Sequence, residues 1–210
     1  MSTSVPQDLQ TALRERRSVK QYDPGYQMSK EELKELLELT GRAPSSWNLQ
    51  HWKFLVVHSD EQKQKLLPIA YGQQQIVQSS AVIAVLGDLE ANLNAEPIYS
   101  EGVKAGALPQ EVKDALIGQI NAAYQSPQVA RDEAIRNASL ASMQLMLAAK
   151  TMGLDTCPMG GFDQKKFVEA FEVPERYIPV MLISVGKAAK PGRPSGRFPV
   201  EEIVVWDRFE

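Results

Sequence analysis

The chain holds one cysteine, Cys157, and two histidines, His51 and His58, among its 210 residues. One cysteine excludes an internal disulfide, and the spacing of a Cys/His metal site is missing. No metal site is expected. Blocks of like charge are also lacking, and the formal net charge is only −3, so no nucleic-acid surface is expected. No apolar run approaches the ~18 residues that span a bilayer. Residues 1–8 have neither the basic nor the apolar segment of a secretory signal. A cytoplasmic protein without a membrane partner is the expectation. The chain also shows no catalytic triad, no paired carboxylates and no phosphate-binding Walker pattern.

What is present reads as an ordinary globular protein. Apolar residues make up 43% and charged residues 23%, enough to build a sizeable core. Pro6, with Leu9, Ala12 and Leu13 on one face, predicts a short first helix. Ser29 and Glu32 form a capping box that opens a helix ended by Gly41 and Pro44. Ser59 caps a helix over 60–67. Residues 52–57, 81–87 and 178–186 read as strands, the first two apolar on both faces as in a sheet covered on both sides. Residues 88–127 form an excursion, helical in part over 109–122. The strongest helix is 128–152, nearly apolar from Leu140 to Ala149, with Gly153 just past its end. The Glu201–Trp206 tail reads as a further strand, which must pair with its own sheet or a neighbour's.

Four clusters could carry chemistry. Arg16-Arg17-Ser18-Val19-Lys20 offers three cations and a hydroxyl suited to an anion, or is a solvated basic turn. Ser45-Ser46-Trp47-Asn48 is a donor-rich loop delivered onto a strand, or a plain connection. Pro158-Met159-Gly160-Gly161 lets backbone approach a flat ligand, or is a turn into the helix cap Asp163. Cys157 beside it reads as a packing residue, since no histidine is near. The loop from Gly186 to Arg197 carries four cations, or is a soluble connection to the tail. A site rich in binding groups and poor in acids and bases suggests that a cofactor does the chemistry.

In order and spacing these clusters resemble the nitroreductase family of FMN-dependent oxidoreductases. The matching pieces are Arg16 to Tyr22, Ala43 to Phe54, Gln73, Gly153 to Asp155, Pro158 to Phe162, and Gly186-Lys187 with Arg197. They cover the chain from about residue 7 onward. The resemblance implies one domain over 1–210 with an α+β fold. That fold is a three-layer sandwich: a mostly antiparallel central sheet flanked by helices, with a C-terminal strand reaching the partner subunit. It implies a homodimer with FMN at each interface site. Arg16, Arg17, Ser18, Arg197 and Lys187 would hold the phosphate and ribityl end. Ser45, Ser46 and Asn48 would come from the other subunit, and Gln73 would meet the pyrimidine ring or ribityl chain. Pro158, Met159, Gly160 and Gly161 would flank the flavin, with a glycine N–H near N5. Lys20 would lie by the N1/O2 edge, where reduction places negative charge.

No side chain is expected to act as a catalytic acid or base. The implied activity is hydride transfer from NADH or NADPH to flavin and then to a nitroaromatic or quinone, in a ping-pong cycle. A non-catalytic protein that stores FMN or senses redox state is the second reading. Family branches that fragment flavin or dehalogenate form a third. Two positions depart from the family pattern: His51 replaces a frequent Pro, and Gly160 stands where some members carry Glu.

Overall fold

A computed structural model describes residues 8–209. Helix α1 (Leu9–Glu15) is capped by Asp8, which accepts the Thr11 N–H at 2.8 Å. Pro6 lies outside the described residues. Of the expected apolar face only Ala12 is buried; Leu9 and Leu13 remain about half exposed. Helix α2 (Lys30–Thr40) opens on the expected capping box, with Ser29 and Glu32 satisfying each other's backbone N–H groups. Gly41 does follow its last residue, but in right-handed geometry, with φ −64°. The helix therefore closes without the left-handed turn that favours glycine.

Strand β1 (Trp52–Val57) leads to α3 (Asp60–Ile69), capped by Ser59, and to the short α4 (Gln75–Gln78). Strand β2 (Ala81–Asp88) is buried at every residue. The excursion then supplies α5 (Ala95–Lys104) and α6 (Gln110–Ala123). Helix α7 (Pro127–Thr151) is the longest element, and twelve of its residues are buried. It stops where Gly153 takes φ 74°, letting the Leu154 N–H turn back to the Ala149 carbonyl at 2.8 Å. Leu145 is fully buried against the sheet. Truncation there to alanine costs about 2–5 kcal/mol.

Strand β3 (Asp155–Met159), helix α8 (Gln164–Ala170) and strand β4 (Tyr177–Gly186) follow. The four strands form one antiparallel sheet in the order β1-β2-β4-β3. One apolar cluster packs α2 and α7 on one face, and another packs α3 and α8 on the other. This is the three-layer α+β arrangement expected, with one strand more than the sequence suggested before the tail. That strand, β3, contains Pro158. A proline has no N–H for a ladder, and β3 tolerates it because it is an edge strand.

The tail differs from expectation. Val200–Ile203 form a single helical turn, α9, and Val204–Trp206 join no ladder among the described residues. Phe198, Ile203, Val205, Trp206 and Phe209 are all exposed, Trp206 to 84%. Ile203 to Trp206 is a consecutive apolar run, and such a segment becomes a strand only where an edge receives it.

Candidate functional site

The expected residues gather along the free edge of β3. Ser18 forms a parallel bridge with Thr156, and the Val19 N–H donates to the Thr156 carbonyl at 3.0 Å. This pairing lays the Arg16–Lys20 segment against the first half of β3. The loop after β4 closes over it. Together Arg16, Arg17, Ser18, Lys20, Arg193 and Arg197 help line a cleft of about 700 Å³. Among the described residues, six cations line that cleft and no carboxylate does. The Nη1 atom of Arg16 is buried with no hydrogen-bond partner. A buried, unpaired guanidinium nitrogen is costly unless an anion meets it. Burial, followed by the nearby charges of Arg197 and Arg17, pushes the Arg16 guanidinium below its ordinary pKa. These features fit a bound phosphate.

The far end of β3 has the opposite character. Gly160 and Gly161 are exposed, and a Cβ at either would meet nothing within 4 Å. Gln73 is brought to the same place, its Nε2 donating to the Gly161 carbonyl at 2.8 Å. Met159 is buried under this end, with Sδ 3.3 Å from Gln75 Nε2, and Pro158 is half-buried beside it. From Thr156 to Gly161 the edge runs about 16 Å at ~3.3 Å per residue. A basic cleft at one end and an open glycine edge at the other suit a long ligand with a phosphate and a flat ring.

Two expected groups lie elsewhere. Lys187 does not line the cleft: its ammonium sits 4.2 Å from the centre of the Tyr26 ring, a cation–π contact. Ser45, Ser46 and Asn48 precede β1, at the other edge of the sheet from β3. Three strand spacings of about 4.8 Å separate those edges, roughly 14 Å. One sheet therefore presents the two halves of the expected site on opposite edges. The same loop is shaped by unusual backbone: Trp47, Asn48 and Gln50 have φ of 53°, 57° and 53°.

What holds the loop was missed in the sequence. Asn137 of α7 accepts the Ser46 N–H at 2.8 Å and donates to the Glu133 carboxylate at 2.9 Å. Arg136 pairs with the same carboxylate. Burial alone would raise the Glu133 pKa, but hydrogen bonds from Ser46 and Asn137 and the Arg136 charge hold it below its ordinary value. The only sequence signal was an Asn among Ala and Ser on the buried face of a helix. From the other side the excursion clamps the loop: Tyr99 donates to the Trp47 carbonyl at 2.8 Å. Tyr99 and Tyr124 pack with Leu49, Ala95 and Ile120. Cys157 is buried, and burial pushes its thiol pKa up, as befits a packing residue. A second groove of about 640 Å³, between α7, α8 and the start of β4, contains none of the expected residues.

The sequence matches the profile of the Nitroreductase family over residues 13–187. The chain belongs to the nitroreductase family. Among its relatives is YodC of Bacillus subtilis, provisionally named an NAD(P)H nitroreductase, 58% identical over 92% of this chain and 96% of its own. An enone reductase of Lactiplantibacillus plantarum is 30% identical over 89% of this chain and 88% of its own. A crystal structure from Exiguobacterium sibiricum, provisionally described as a nitroreductase and solved in complex with FMN, superposes with a TM-score of 0.91. It is 42% identical and covers 98% of this chain and all of its own. The α+β fold of this nitroreductase-family chain is thus that of its relatives. No helix among the described residues is long and apolar enough to cross a membrane.

Proposed function

We propose that the chain is an FMN-dependent NAD(P)H oxidoreductase acting on nitroaromatic or quinone acceptors by a ping-pong cycle. The single observation that carries this reading is the β3 edge, where the unpaired Arg16 in an acid-free basic cleft is joined to an open Gly160-Gly161 edge. Its support from likeness is the FMN-bound structure, 42% identical. When bound, the flavin supplies the redox chemistry, accepting hydride from a nicotinamide and passing it to an acceptor.

The chain's own residues bind and orient. Arg16, Arg17, Ser18 and Arg197 hold the phosphate through charge-assisted hydrogen bonds, each worth about 1.5–3 kcal/mol. Gln73, Pro158, Met159, Gly160 and Gly161 flank the ring, the glycines leaving their backbone N–H groups uncovered. Lys20 supplies positive charge where negative charge develops. Lys187, held over Tyr26, steadies the β4 exit and is not assigned to the phosphate.

The second half of the site comes from another copy. Ser45, Ser46 and Asn48 lie on the opposite sheet edge from their own cleft, so they serve the cleft of a partner in a homodimer. Exposed apolar residues support this assembly: Leu9 and Leu13 on α1, Leu140 and Met143 on α7, and the tail. The extended Val204–Trp206 segment is the natural addition to the unpaired outer edge of the partner's β1.

The test is purified protein incubated with FMN, dialysed, and assayed with NADH and NADPH against nitrofurans and quinones. Yellow protein with turnover and parallel double-reciprocal lines is expected. Protein that stays colourless sinks the reading. Yellow protein without oxidation of either nucleotide leaves only a flavin-binding role.

A further inference from the structure

The cleft between residues 16–21 and 190–197 holds more positive charge than one phosphate needs. Arg16, Arg17, Lys20, Lys190, Arg193 and Arg197 line it, with no carboxylate among the described residues. None of the six joins an ion pair among the described residues. Arg17 and Arg197 donate only to carbonyl and hydroxyl oxygens. This crowding is built into the backbone. A Cβ at Gly192 would lie 2.6 Å from Arg17 Cβ and 2.8 Å from the Ser18 carbonyl oxygen. Glycine thus lets the loop rest directly on Arg17 and Ser18, and the two sets of cations are pressed together. Like charges held so close repel unless anions lie between them.

A flavin mononucleotide phosphate brings about two negative charges. With Arg16, Arg17 and Arg197 set against that phosphate and Lys20 against the flavin ring, Lys190 and Arg193 are left in surplus. Arg16, with its buried and unpaired Nη1, is suited to the first phosphate, while Lys190 and Arg193 are exposed and free to meet a ligand arriving from solvent. We propose that this surplus forms a second phosphate subsite, centred on Arg193 and Lys190, that takes the 2′-phosphate of NADPH and selects NADPH over NADH. The inference rests on the oxidoreductase reading above. The two donors share their nicotinamide, adenine and pyrophosphate and differ only in that 2′-phosphate. An Arg fork matches its oxygens and a Lys adds a point charge. The hydride transferred is the same from either donor, so the subsite changes recognition and not the reaction.

The experiment uses the FMN-loaded dimer and a Lys190→Ala/Arg193→Ala double variant, assayed with each nucleotide and one quinone. Flavin absorbance reports FMN content throughout. The wild type is expected to favour NADPH by roughly tenfold or more in kcat/KM. In the variant the KM for NADPH should rise about tenfold, with kcat, NADH kinetics and FMN content held within about twofold. A wild type that uses both donors equally overturns the inference and leaves the oxidoreductase intact. So does a variant that loses both donors alike, or loses FMN with the donor ratio unchanged. A yellow wild type that oxidises neither donor removes the underlying function, and the subsite with it.

Discussion

Asn137 Oδ1 accepts the Ser46 backbone N–H at 2.8 Å, joining the central helix to a loop 91 residues earlier in the chain. The bond fixes where Ser45, Ser46 and Asn48 point, and Glu133 fixes Asn137 in turn. Asn137→Ala strips the Ser46 N–H and the buried Glu133 carboxylate of a partner. A loss of about 1–3 kcal/mol in unfolding free energy is expected. FMN affinity should fall with it if the loop serves the partner's cofactor as proposed. Denaturant titration and a flavin-fluorescence titration read the two effects. Lost stability with unchanged FMN affinity would separate the loop from the cofactor.

Gly192 is the contact point between the two basic segments. Gly192→Ala places a methyl group inside contact distance of Arg17 and the Ser18 carbonyl, and backbone cannot swing aside as a flexible side chain can. The loop must lift, carrying Arg197 away from Arg16. Weaker FMN retention on dialysis is expected, with little change in melting temperature because the loop is largely exposed. Full retention would show that the loop's closeness is not used for the phosphate.

His51 is fully buried, and neither ring nitrogen has a partner. Burial lowers its pKa below the ordinary 6.5, although the Glu133 and Asp88 carboxylates pull the other way. The unfolded chain therefore takes up the proton first as pH falls. Stability attributable to His51 is complete above the unfolded value and is lost as pH drops from there toward the depressed folded value. The slope in that window approaches about 1.4 kcal/mol per pH unit. His51→Phe keeps a ring beside Tyr124 and removes the titration. Melting curves from about pH 5 to 8 should fall more steeply for the wild type than for the variant on the acid side. Parallel curves would show that His51 is not what titrates.

Lys20 lines the cleft but is exposed, so its charge can be removed without disturbing the core. In Lys20→Ala, FMN should stay bound. The flavin potential should become more negative, and reduction by the nucleotide should slow by about tenfold. An unchanged potential would place Lys20 away from the N1/O2 edge.

Much of this was legible from local chemistry. Ser29 with Glu32, Ser59 and Asp163 each cap the helix their type and spacing imply, because capping depends only on neighbours within one turn. Strand β2 and helix α7 were plain from apolar runs. Strand β3 is not among the strands the sequence predicts, since Pro158 argues against a strand until its edge position is known. Motif order singles out Arg16, Gln73 and the glycines, and the fold gathers them along the free edge of β3. The contact of Lys187 with Tyr26 was not legible, since motif position says nothing of a ring 161 residues earlier in the chain. Asn137 and Glu133 were invisible, since their partner lies 91 residues from Asn137. The helical turn at Val200–Ile203 was not legible, and Val204–Trp206 joins no ladder within the chain, because a strand needs an edge and the edge that suits it belongs to another copy in the proposed dimer.

In the proposed dimer, a site built from two copies holds FMN and passes hydride through it. The direct measurement is flavin absorbance of the FMN-loaded protein in a stopped-flow instrument without oxygen. NADPH alone should bleach the flavin. A quinone or nitrofuran added afterwards should restore it, with no nucleotide present in the second step. Flavin that stays oxidised in excess NADPH and in excess NADH would contradict the account.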